Sequence, residues 1–130
     1  MEKRIINPWQ WQDERNYAQA VEIKQPGGIL YCSGQAAVHP DGRSSTDDMR
    51  TQFQLALQNL EQVINTAGYA CNGIARLTIY STSSAEFIAT CFDLYKEWIA
   101  RHEVKTALTV LEVNGLFETL KVELEATVVR

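Results

Sequence analysis

At 130 residues the chain can bury about two thirds of its unfolded surface without disulfides or metals, and it reads as a single domain spanning residues 1–130. Apolar residues make up 45% and charged residues 22%, an ordinary globular balance. A net charge of -4 with no run of Lys or Arg argues against a nucleic-acid partner, and with no apolar span of about 20 residues no membrane partner is expected.

Met1 to Ile6 suits a short edge strand, and Met1 to Trp11 is too polar and charged, and too interrupted by Pro8, for a signal peptide; the cytoplasm is the expected location. Asn7 to Asn16 is an irregular polar stretch whose Trp9 and Trp11 pack over a core edge or line a pocket. Tyr17 to Lys24 alternates like a strand, the turn Gln25-Pro26-Gly27-Gly28 follows, and Ile29 to Gln35 forms a second strand, so a hairpin is predicted. Gly34 inside that strand marks either a bulge or a close approach by a ligand or another backbone.

After a turn at His39-Pro40-Asp41-Gly42, Thr46 or Asp47 is expected to cap a helix. Met49, Phe53, Ala56, Leu57, Leu60, Val63, Ile64 and Ala67 recur every three or four residues, which predicts an amphipathic helix stopped at Gly68. Gly73 to Thr82 is a third main strand. Ser83 and Glu86 have capping-box spacing and open a second helix that ends near Arg101-His102, with Phe87, Cys91, Leu94, Tyr95 and Trp98 as its buried stripe.

The three cysteines are widely spaced with no C-x-x-C pair, which suits a reducing compartment, and Cys91 reads as a buried thiol rather than a nucleophile. His39 and His102 have no further ligand near them in sequence, so no metal site is expected.

Lys105 to Leu111 is a further strand, followed by a turn at Asn114-Gly115 and a last strand within Glu118 to Val129. There the alternation is strict: Leu120, Val122, Leu124, Ala126 and Val128 face one way, and Lys121, Glu123, Glu125 and Thr127 the other. Two helices can cover only one face of the resulting sheet. The face carrying Glu123 and Glu125 needs another cover, and a homo-oligomer is the simplest.

Tyr17-Ala18-Gln19-Ala20-Val21, Ser33-Gly34-Gln35, the Pro40-Asp41-Gly42 turn, Ala56-Leu57-Gln58-Asn59-Leu60 and Val122-Glu123-Leu124-Glu125-Ala126 occur in an order and spacing that resemble the RidA/YjgF family of reactive-intermediate deaminases, once described as endoribonucleases. The resemblance runs from Tyr17 to Val129. It implies a chorismate-mutase-like α+β fold, a mixed sheet with two helices on one face, assembled as a homotrimer with clefts between subunits. It also implies hydrolysis of enamines and imines such as 2-aminoacrylate to keto acids and ammonia, with no cofactor.

Carried over, the resemblance makes Glu123 the residue that holds the attacking water, Tyr17 the cleft tyrosine and Gly34 the glycine whose backbone approaches the ligand. Lys105 takes the place of the family's substrate-binding arginine, with Thr106 and Ala107 beside it. Lysine keeps the charge and gives up the bidentate fork. The family's helix asparagine falls at Phe92, and the connection from Lys105 to Glu123 is long. Two readings stand: a deaminase with weak or altered turnover, and a trimeric protein that binds a small carboxylate-bearing metabolite without turning it over. The ribonuclease reading is weak against a net negative charge and no paired histidines.

Overall fold

The alternation of the last strand is realised over Val122–Val129 (β7), where Val122, Leu124, Ala126 and Val128 are buried while Glu123, Glu125 and Thr127 point to the opposite face. This strand holds the sheet together. In the computed structural model, which describes residues 1–130, β7 pairs antiparallel on one side with β5 (Ile74–Ser81) and on the other with β3 (Ile29–Tyr31) and β4 (Gln35–Ala36). β6 (Ala107–Glu112) adds parallel to β5, giving a mixed sheet of order β3-β7-β5-β6. β1 (Glu2–Ile6) and β2 (Ala20–Lys24) pair antiparallel in a separate two-stranded ribbon.

Three helices lie on one face. α1 (Met49–Thr66) turns Met49, Phe53, Ala56, Leu57, Leu60 and Ile64 onto the buried side chains of β5 and β7. α2 (Ser84–Thr90) and α3 (Phe92–Arg101) add Phe87, Tyr95, Trp98 and Ile99 to the same core. Each fully buried leucine, isoleucine or phenylalanine there stabilises the fold by about 1.5–3 kcal/mol, so packing rather than helix propensity holds the layer. α1 ends where the sequence indicates: Gly68 takes φ +80°, its N–H donates to Asn65 O and the Tyr69 N–H donates to Ile64 O, the paired bonds of a Schellman motif. No helix is long and apolar enough to cross a membrane.

Several expectations need correction. No hairpin joins residues 17–24 to residues 29–35: β2 pairs with β1 and β3 with the end of β7. The cause is visible at the turn, where Gly27 and Gly28 both donate their N–H groups to Arg130 O at 2.6 and 3.1 Å, so the C-terminal residue takes up the donors a local hairpin would have used. The cap of α1 is Asp48, whose carboxylate accepts from Thr51 N, and not Thr46 or Asp47; Asp47 is tied to Ser45 instead.

The second helix is two helices, because Cys91 (φ -122°, ψ -20°) leaves helical geometry between them. Ser83 does cap α2 by accepting from Glu86 N, but the reciprocal half of the box is absent, since Ser83 N donates to Ser81 Oγ. Lys105 and Thr106 precede β6, and the connection through Asn114-Gly115 crosses from β6 to β7 past β5, which lies between them.

Candidate functional site

Gly34 and Glu123 meet. The β4–β7 pairing sets Gln35 opposite Leu124 and Ala36 opposite Glu123, and this register brings Gly34 onto the Glu123 carboxylate: a Cβ on Gly34 would lie 2.7 Å from Glu123 Cδ. Glu123 is half-buried and makes no hydrogen bond or ion pair, although its neighbour on the same face, Glu125, accepts a 3.0 Å hydrogen bond from Tyr80. That bond, with burial and the nearby charges of Glu125 and Glu123, raises the Tyr80 phenol above its usual value. Glu123 and Gly34 line a cavity of about 700 Å³ with Val38, Asn59, Phe117 and Leu120.

Two side chains without an expected role shape this cavity. Asn59 on α1 donates through Nδ2 to the carbonyls of Ala36 and Val38 at 2.9 and 3.0 Å, pinning the segment that follows Gly34. Gln52, fully buried one helical turn from Met49, donates to Asp47 O and Thr119 O, and its Oε1 accepts from Lys121 N at 2.9 Å. It thereby fixes the entry to β7 two residues before Glu123. Asn59 was legible only as one member of the Ala56 to Leu60 motif, and Gln52 only as a glutamine within the apolar stripe.

Tyr17 and Lys105 meet at a different place. The Ala18 N–H donates to Thr106 O at 2.8 Å, forming a bridge between Ala18 and Ala107 that sets Tyr17 beside Lys105. The two line a second cavity of about 680 Å³ with Asn7, Asp13, Asn16 and Glu103. Lys105 is exposed, and Lys3 stands near it: burial first, and then the Lys105 charge, push the Lys3 ammonium below its usual value. Lys105 is the one cation lining this cavity, beside the carboxylates of Asp13 and Glu103, while the Lys3 ammonium donates to Asn72 O at 3.3 Å. Thr106 is fully buried with its hydroxyl donating to Ala107 O, so it holds the Tyr17 segment rather than facing a cavity. Ala107 is half-buried opposite Arg76.

One chain thus brings together Gly34 with Glu123 at one cavity and Tyr17 with Lys105 at another. Cys91 is fully buried and burial raises its thiol, as it does those of Cys32 and Cys71, the last to about 11; none is an accessible thiolate. No group of three or more His, Cys, Asp or Glu side chains is placed to hold a metal ion.

The family model described as Endoribonuclease L-PSP matches residues 10–130. The 2-iminobutanoate/2-iminopropanoate deaminase of Salmonella typhimurium is 28% identical over 115 residues, covering 88% of this chain and 87% of the relative. Among solved structures, YyfB of Yersinia pestis, a protein of unknown function in the conserved Rid family, superimposes with a TM-score of 0.86 at 27% identity over the whole of both chains. Escherichia coli TdcF with bound serine gives a TM-score of 0.72 at 29% identity, covering 88% and 87% of the two chains.

Proposed function

The chain belongs to the endoribonuclease L-PSP family, the RidA/YjgF proteins, and from that membership we propose that it is a deaminase hydrolysing reactive enamines and imines of amino-acid origin to keto acids and ammonia. The observation that carries this reading is the condition of Glu123: a half-buried carboxylate with no partner of its own, standing against a glycine that leaves it uncovered. Such a group can accept a proton from water.

In the proposed reaction the water oxygen bonds to the imine carbon as Glu123 takes its proton. The nitrogen gains a proton and becomes the amine of a tetrahedral carbinolamine. The amine then takes the hydroxyl proton, relayed by the Glu123 carboxylate, the C–N bond breaks, ammonia leaves, and the oxygen becomes the keto oxygen. The imine carbon is already electrophilic, so no covalent nucleophile is required. Lys105 neutralises the substrate carboxylate, and Tyr17 borders it. The serine bound to the E. coli relative is itself a small carboxylate.

The two partial sites complete one another in a homotrimer whose sheets face inward, with the Tyr17 and Lys105 half of one copy set against the Gly34 and Glu123 half of the next. The uncovered polar sheet face, carrying Arg76, Thr78, Tyr80, Glu123 and Glu125, supports this arrangement. A second reading, carboxylate binding without turnover, is favoured by one feature, Lys105 at the position where the family resemblance implies a forked guanidinium.

The decisive experiment generates an imino acid in situ with an amino-acid oxidase and traps what remains. Wild type is expected to hasten its decay, and Glu123→Gln to lose about 100-fold or more of that rate. Decay no faster than in protein-free controls, across several side chains, would leave the binding reading.

A further inference from the structure

Beside the Lys105 corner lies a third cavity, of about 400 Å³, whose walls are nearly all apolar: Ile88 and Phe92 from the α2–α3 pair, Leu108 and Val110 from the helix-facing side of β6, with Tyr17 and Arg15 closing one end. Tyr17 lines both cavities, so it stands between a charged corner that holds Lys105, Asp13 and Glu103 and an apolar one. Ile88 is 57% exposed and forms the outer lip. Arg15 lies over the Trp11 ring at 5.0 Å and makes no ion pair.

We propose that this cavity receives the side chain of the substrate, and that the preferred substrates are imino acids with bulky apolar side chains, aliphatic or aromatic, rather than the methyl-bearing imine. The inference rests on the deaminase reading for one thing, the placing of the substrate carboxylate at Lys105. A side chain that extends from there past Tyr17 meets the apolar wall of Ile88, Phe92, Leu108 and Val110. A methyl group would leave most of that wall in contact with water. An isobutyl or phenyl group displaces the water, and this burial is the favourable term. Arg15 adds a cation beside any ring that enters, a contact that favours aromatic guests.

The test is a series of imino acids generated from alanine, leucine and phenylalanine. kcat/KM is expected to rise about 10- to 100-fold from the alanine-derived imine to the two larger ones. Ile88→Asp, at an exposed position and with its fold checked by circular dichroism, is expected to cut that ratio about tenfold. A flat or falling series in the wild type overturns the inference. If no imine is turned over faster than in protein-free controls, the deaminase reading fails and the cavity is judged by binding of unreactive keto acids, followed by tryptophan fluorescence. Phenylpyruvate binding about tenfold more tightly than pyruvate, with the advantage lost in Ile88→Asp, sustains the pocket; equal affinities overturn it.

Discussion

The Gly34 Cα sits so close to Glu123 that a methyl group on it would lie 2.7 Å from the carboxylate carbon and 2.8 Å from Oε2. The backbone at Gly34 does not take a positive φ, so the missing side chain serves its neighbour rather than a turn. Gly34→Ala is therefore expected to leave thermal stability nearly unchanged while pushing the carboxylate aside and lowering kcat about 100-fold. Calorimetry beside the trapping assay checks both halves; loss of stability with activity retained would mean the contact is only structural.

Lys105→Arg restores two parallel donors for a carboxylate where a single ammonium now stands. KM for imino acids is expected to fall several-fold to about tenfold, and Lys105→Ala to raise it by at least as much. No change from either substitution in a folded protein would place Lys105 outside the site.

Subunit mixing addresses the division of the site between copies. Lys105→Ala protein, assayed at substrate well below its raised KM, and Glu123→Gln protein, nearly inactive, are dissociated, combined in equal amounts and reassembled. About a quarter of the wild-type activity is expected to return, because random exchange gives that share of clefts an intact Lys105 on one copy and an intact Glu123 on the next. A site contained within one chain would recover nothing.

Gln52→Leu removes one fully buried side chain that satisfies Asp47 O, Thr119 O and Lys121 N together, in hydrogen bonds that are themselves part-buried. Urea unfolding is expected to show a loss of about 2–3 kcal/mol, larger than a surface change would give. A loss under about 0.5 kcal/mol would show that water can replace the amide there.

What could be read in advance divides along physical lines. β7 and α1 were legible because each carries its own periodicity, and the Gly68 stop because a left-handed C′ position favours glycine over residues with a Cβ. Gly34 and Glu123 were picked out separately, by a glycine in a strand pattern and a carboxylate on its uncovered face; only the β4–β7 register shows that they touch. The hairpin failed for the complementary reason. Its turn residues were correctly seen, but the choice of strand partner is a competition, and Arg130, at the far end of the chain, wins it through two hydrogen bonds. The break at Cys91 has no breaker residue to announce it.

The uncovered face of the sheet has one more consequence, for the order of events after synthesis. Every large apolar side chain of β5 and β7 finds its partners on helices of the same chain, while the face left over carries hydroxyls, carboxylates and Arg76. Nothing about the core waits for a second copy. In the proposed trimer, copies would therefore meet through a polar face, each with its core already closed by its own helices.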